Sequence, residues 1–529
     1  RIYDGTTTIS GSNFSTFSNI ISGQTLSVTG SGTVSSANVG TGKNVTSVNL
    51  ALANGSGSAS NYSINSLTAE ITGRPVTISG SRLYDSTTTA SNSILTVTSG
   101  VSGESLSLTG SGILGAASAG TQTVTNNNTL AIANGSGLAS NYTLSGATIN
   151  VTIIPRTLNV TLSREYDGTT SVSGVSLTPT FDSLQGGETL ALSGTGSVST
   201  ANVGSSKAVS LGSIALAAGS GNPSNYTLNS ATMNITQRVI NLDGIRAYDA
   251  TTNVLSSDIN TFGNIVSGET LTISGTGSVA TNSVAMNKAI TIGSLSLGNG
   301  SGLASNYTLT GGTHTFDISP VSVNITGNRQ YNGTNVINSS DLLLTNLLTG
   351  ETVSLSGQGT VASADVGANK TVTSVNLALT GANAGNYTLN SYTTSFEILP
   401  KVINLTGTKV YDGLTTVPNA SLTVTTGVSG QSLDLKGSGS VISAATSNGK
   451  TISIGTLELD STGSGSDSNY TLSGGSHTFN VTARPLTFSS SRNYDGTTTA
   501  NTSGLTYTFS NLVSGESLVL SGSGTVASK

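Results

Sequence analysis

The chain has no cysteine and no tryptophan, only 8 prolines and 2 methionines, and only 8% of its 529 residues carry charge. Without cysteine, no disulfide can staple small units together, and such a chain suits export in an unfolded state. A net charge of −5, spread over 19 basic and 24 acidic residues, makes no patch able to draw in nucleic acid or anionic lipid. No apolar run reaches the length of a membrane span, and the 529 residues contain no signal-peptide pattern. What remains is rich in Ser, Thr, Asn and 66 Gly, with 35% hydrophobic residues and a mean hydropathy of +0.08. That is too apolar for a disordered chain and too poor in helix formers for helices, so it predicts strands joined by tight turns.

The pattern along the chain is periodic. Arg-x-Tyr-Asp-Gly-Thr, or a close variant, recurs at Tyr3, Tyr84, Tyr166, Tyr248, Tyr331, Tyr411 and Tyr494, at intervals of 80 to 83 residues. A period that steady means one structural unit repeated, not one large domain. The boundaries expected are a partial unit at 1–74, units at 75–155, 156–238, 239–320, 321–400 and 401–485, and a partial unit at 486–529, a segment of a longer array. Within a unit, Val76 and Ile78 alternate with polar residues before the Tyr-Asp turn. A Val-Ser-Gly-Glu turn follows at Val101–Glu104, then the period-two pair Leu106/Leu108. Gly110 and Gly112 come next. Inside a strand pattern, with no helix or Gly-Lys-Ser/Thr after them, they predict a bulge or close backbone approach, not a phosphate loop. Apolar positions then run Val209, Leu211, Ile214, Leu216. The step of three flips the apolar face, so a bulge or tight break is expected there in every unit.

A second motif, Ser-Asn-Tyr-Thr, places Tyr62, Tyr142, Tyr226, Tyr307, Tyr387 and Tyr470 ahead of the last strand, which passes with almost no gap through Pro155 or its counterparts into the next unit. These facts predict an all-β fold: tandem immunoglobulin-like β-sandwich modules of about 80 residues. A β-solenoid would need a shorter internal period, and none is visible. The short linkers predict a semi-rigid, elongated rod. At about 3.3 Å per residue for strands of about ten residues, it would extend on the order of 200 to 260 Å.

Few residues offer chemistry. Apart from Tyr392 and Tyr507, every tyrosine lies in one of the two motifs, as expected of anchors that bury a ring and need a partner for the hydroxyl. Asp167 and most of its counterparts precede Gly, Ser86 standing after Asp85 and Ala250 after Asp249, and they suit a turn in which the carboxylate takes the backbone N–H two residues on. No cofactor is expected. Calcium is the sharper alternative for these acids with Glu104, Glu188, Glu269, Glu351 and Glu516, but Gln24 and Gln431 stand at that position in two units, and Asn332 replaces the Asp once. The basic residue two before the Tyr, Arg in six copies and Lys409 in one, shares its strand face and is expected to cover the ring or pair with an acid. Lys43, Lys207, Lys288, Lys370 and Lys450 recur, with Gln122 in one unit. A crosslink from these lysines to an Asn or Asp is conceivable and disfavoured by that Gln. His314 and His477 align with Ile149, Met233 and Thr394, which is no catalytic or metal scaffold. Asn61, Asn141, Asn225, Asn306, Asn386 and Asn469 head Asn-x-Ser/Thr sequons and read as turn caps or glycan acceptors.

Taken together, Arg-x-Tyr-Asp-Gly-Thr-Thr, Ser-Gly-Glu, Gly-Ser-Gly-Thr and Ser-Asn-Tyr-Thr resemble the YDG-type repeats of large bacterial exoproteins, the filamentous-haemagglutinin-like adhesins. The resemblance implies a non-enzymatic extracellular stalk or fibre at the bacterial surface, with a distal domain doing the binding. Two other readings follow from the residues: a subunit of a self-assembling filament, and a Ser/Thr/Asn surface that binds glycans or ice. The partners implied are a host or neighbouring cell surface, polysaccharide, or further copies of the chain.

Overall fold

The computed structural model describes residues 1–529 apart from Val48. The side chains of Ser47 and residues 390–394 lie outside the described residues, and with them the readings of Tyr392 and Thr394. The fold is all-β, in about six tandem modules, and its helical turns among the described residues are three-residue 3-10 turns. The chain divides into two compact units. One is Arg1–Asn241 with Phe262–Ser274 and Ser296–Thr313; the other is Leu242–Thr261 with Gly275–Leu295 and His314–Lys529.

In the first unit, the second module shows the plan. Six strands form one sheet in the spatial order Thr89–Ser91, Ser111–Leu114, Gly120–Asn126, Tyr142–Ile154, Arg74–Leu83, Leu95–Thr98. A separate antiparallel pair joins Leu106–Thr109 to Ala131–Asn134, with Leu108 opposite Ile132. Alternation explains the layers. Val76 and Ile78 on the first strand, and Ile149, Val151 and Ile153 on the last, are buried, while Thr77, Ser79 and Thr152 between them face water. Leu108 of the small sheet joins Val76 and Ile78 of the large one in a single apolar cluster. In the second unit, the sixth module repeats the order Thr416–Pro418, Ser438–Val441, Ser447–Ser453, Thr478–Thr482, Leu405–Val410, Leu422–Val424, with Asp434–Lys436 paired to Glu458–Asp460.

Both irregularities anticipated from the sequence are places where the chain changes sheet. Between Leu106–Thr109 and Ser111–Leu114 stands Gly110 at φ 75, and a Cβ there would lie 2.0 Å from the carbonyl oxygen of Thr129, so only glycine fits. After Gly204–Ser210, a tight turn closes with Ile214 N–H donating to Leu211 O at 2.7 Å, and the strand Ala215–Ala218 begins in the other sheet. The apolar face flips because the strand crosses the core.

The sequence pattern does not reveal the central pairing. The first and last strands of a module lie side by side and parallel: Ile78 pairs with Ile149, Gly80 with Val151 and Leu83 with Ile154. The last strand ends at Ile154, and one residue, Pro155, leads into Arg156–Glu165 of the next module. The apolar clusters also cross module boundaries. Tyr84, Leu114, Val151 and Ile153 of the second module share a cluster with Leu158, Leu190 and Tyr226 of the third. In the second unit, Phe396 and Ile398 of the fifth module share one with Leu433, Tyr470 and Phe479 of the sixth.

Candidate functional site: a carboxylate clasped by two tyrosines at each joint

The Arg-x-Tyr-Asp-Gly loop follows the first strand directly. Its Asp makes the turn: Asp167 Oδ1 accepts from the N–H of Thr169 at 2.9 Å and from its hydroxyl at 3.0 Å, and Asp85 does the same for Thr87. The preceding basic residue locks the loop from beneath. Arg164 pairs with Asp167 at 2.9 Å and donates to the carbonyls of Thr169 and Ser171, and Lys409 pairs with Asp412 at 3.0 Å. Where Asn332 replaces the acid, Arg329 still reaches the carbonyl of Thr334. The motif acids and bases are therefore committed to one another and to the loop backbone.

With the loop fixed, the tyrosine points out of its module. Tyr84 is 3% exposed, and its hydroxyl donates to Oε1 of Glu188, in the Gly-Gly-Glu turn of the next module, at 2.5 Å. The other oxygen of Glu188 accepts at 2.6 Å from the hydroxyl of Tyr226, the Asn-Tyr tyrosine of that next module. Tyr226 also accepts the N–H of Gln185 at 3.1 Å, so its hydroxyl is used in both directions. The two rings meet edge to face, centroids 5.3 Å apart, a contact worth about 0.5–1.5 kcal/mol beyond burial. One carboxylate is thus clasped by a phenol from each side of a module boundary.

The same clasp recurs. Tyr3 and Tyr142 hold Glu104, at 2.5 and 2.6 Å; Tyr166 and Tyr307 hold Glu269, both at 2.6 Å. Tyr248 reaches Glu351 at 2.7 Å and stacks edge to face on Tyr387, whose hydroxyl accepts from Leu348 N–H. At the next joint Gln431 serves both sides, its amide N–H donating to Tyr331 at 2.7 Å and its oxygen accepting from Tyr470 at 2.5 Å. Tyr411, half-buried, bonds Glu516; Tyr62 donates to Gln24 within the first module at 2.8 Å. Tyr494 is 83% exposed.

Burial first, and then the hydrogen bond given to a carboxylate, push the phenols of Tyr84, Tyr166 and Tyr248 up from their ordinary value near 10 to about 12. Ionising them would place a second negative charge against the glutamate.

A second interlock uses the asparagine beside each Asn-Tyr tyrosine. Asn141, Asn225, Asn306, Asn386 and Asn469 are buried. Each side-chain oxygen accepts a backbone N–H of the preceding module: Val39, Ala119, Val203, Val284 and Val366, at 2.8 to 2.9 Å. The amides of Asn141, Asn306 and Asn469 also donate to Asn38, Asn202 and Asp365. The glycan-acceptor alternative gives way here, because these five amides are closed inside the joint. Asn61 alone among the six is exposed.

The sequence reading overlooked a third set of joint residues. Arg74 and Arg238, which head the first strand of a module, and Arg484, just ahead of one, donate back to the carbonyl of the preceding motif tyrosine, Tyr3, Tyr166 and Tyr411, at 3.2 to 3.3 Å. Their signal was a basic residue recurring at the same period. The recurring lysines stay inside their own modules, Lys207 Nζ donating to Thr200 Oγ1 at 2.8 Å and Asn202 O at 2.9 Å, so the crosslink reading is replaced by loop support. His477 is buried, its Nδ1 accepting the N–H of Leu405 at 3.1 Å. Among the described residues no group of three His, Cys, Asp or Glu is gathered for a metal, and no helix is long and apolar enough to cross a membrane.

Repeated all-β modules whose recurring polar residues are spent on joining one module to the next define a tandem repeat protein of structural or binding type. The chain belongs to the YDG domain family: that domain matches it six times, over residues 1–71, 69–149, 152–233, 236–315, 318–395 and 399–478. No curated protein matches it.

Proposed function

We propose that this chain is a non-enzymatic stalk segment of a bacterial surface adhesin, holding a binding region away from the cell. The observation that carries the reading is the use of the recurring residues. The tyrosines, glutamates and asparagines that a ligand site would present are engaged with one another across module boundaries. A chain that repeats a joint, and not an open pocket, is suited to set a distance. The extracellular location and the adhesin context are part of this proposal and are supported by the family resemblance of the repeats.

Electron microscopy of native cell surfaces, with whole modules deleted from the array, tests the reading. Single-chain-wide projections that shorten by a constant step for each module removed, with attachment at the tip retained, are expected. Ordered multi-chain bundles, or attachment that declines in proportion to module number, would overturn it in favour of a filament or of a binding surface along the repeats.

A further inference from the structure

We propose that each module is a mechanical clamp that resists tension along the chain, with the parallel pair formed by its first and last strands as the element that bears the load. The clamp follows from register alone. Its biological use rests on the stalk reading above.

The first strand of the second module enters at Arg74 and runs to Leu83; the last runs in the same direction from Tyr142 to Ile154. They are neighbours, with Arg74 opposite Tyr142 at one end and Leu83 opposite Ile154 at the other. Tension therefore enters at the Arg74 end of one strand and leaves at the Ile154 end of its partner. It pulls the two along their length in opposite senses, and the rungs between them must yield together. Force applied at one end of the pair would open the same rungs singly. Forced rupture follows the unfolding rate, so a barrier that needs many bonds to break at once is high even though each bond alone contributes little.

The register recurs. Arg156 to Glu165 pairs with Tyr226 to Thr236 in the third module, and Val321 to Gln330 with Tyr387 to Leu399 in the fifth. In the sixth, Lys401 and Val402 pair with Tyr470 and Thr471, and Thr406 to Val410 with Thr478 to Thr482. The motif tyrosine closes each ladder: the N–H of Tyr84 donates to Ile154 O at 2.9 Å, that of Tyr331 to Leu399 O at 2.8 Å, and that of Tyr411 to Thr482 O at 2.9 Å. The residue whose hydroxyl grips the next module is also the last rung of its own clamp.

The chain has no cysteine, so two introduced cysteines are unique handles. In the full chain, Thr72→Cys with Ile154→Cys loads the second module in shear, and Leu83→Cys with Ile154→Cys peels the same pair from one end. All three positions are exposed. Single-molecule force spectroscopy should show shear rupture at several-fold higher force than peeling. The shear variant should release roughly 27 nm of chain at about 3.3–3.6 Å per residue. Glu165→Cys with Thr236→Cys peels the third module as a second measurement. Equal rupture forces in the two geometries would overturn the clamp and leave the stalk reading standing. High shear force in a chain whose deletion leaves surface projections unchanged would uphold the clamp and overturn the stalk.

Discussion

The hydroxyl of Tyr84 and the carboxylate of Glu188 lie 2.5 Å apart across 104 residues of sequence, each in a different module. Replacing that tyrosine by Phe keeps the ring and removes the donor, leaving Glu188 with Tyr226 alone. Tyr84→Phe is expected to destabilise the chain by about 1–3 kcal/mol, the cost of an unpaired and partly buried acceptor. Tyr494→Phe, at an exposed ring, is expected to change nothing measurable. Chemical denaturation of the two variants checks both.

Gln431 holds two tyrosines with one amide where other joints use a carboxylate. Glu188→Gln is therefore expected to cost under about 1.5 kcal/mol, whereas Glu188→Ala strands both Tyr84 and Tyr226 and costs more. A double-mutant cycle of Tyr84→Phe with Glu188→Ala should return a coupling of about 0.5–3 kcal/mol, and a coupling of zero would remove the hydrogen bond from the account of the joint.

The clasp sets an alkaline limit. The folded phenol of Tyr84 is raised to about 12 by burial and by its bond to Glu188, above the ordinary value of 10. A group raised on folding stabilises fully below its unfolded pKa and loses that contribution as pH rises through the folded one. Stability due to the joints should hold to about pH 9 and fall between about pH 10 and 12. Denaturant midpoints measured across that range should flatten in a variant with Tyr84→Phe, Tyr166→Phe and Tyr248→Phe.

Gly168 sits at φ 78 in its motif, and a Cβ there would lie 2.9 Å from Cγ1 of Val266 in the next module. Gly168→Ala is expected to cost about 1–2 kcal/mol for the left-handed backbone alone, plus the clash. Adding Val266→Ala should recover the steric share and leave the backbone share. Thermal unfolding of the single and double variants separates them.

Much of the module could be read directly from the residues. Alternation at Val76 and Ile78, the glycine at Gly110 and the step from Leu211 to Ile214 each correspond to a strand or a crossing. The pairing of tyrosine with glutamate was hidden for a definite reason. Both recur at the same period, and a period shows which residues repeat but not which copy touches which. Glu104 lies as regularly from Tyr84 of its own module as from Tyr3 of the one before. Parallel pairing was hidden likewise, since two alternating strands look alike whichever way they run. The cross-module role of Asn141 was hidden because its motif is a local string, while its partners Asn38 and Val39 lie about a hundred residues away.

Every complete module carries both halves of the clasp, a tyrosine to offer forward and a Glu or Gln facing back. Loss or duplication of one whole period at the gene level therefore rejoins a tyrosine to a Glu or Gln partner wherever the cut falls within the repeat. A cut out of phase leaves a half-buried acid facing nothing. Length in such an array is an inheritable quantity that changes in whole modules.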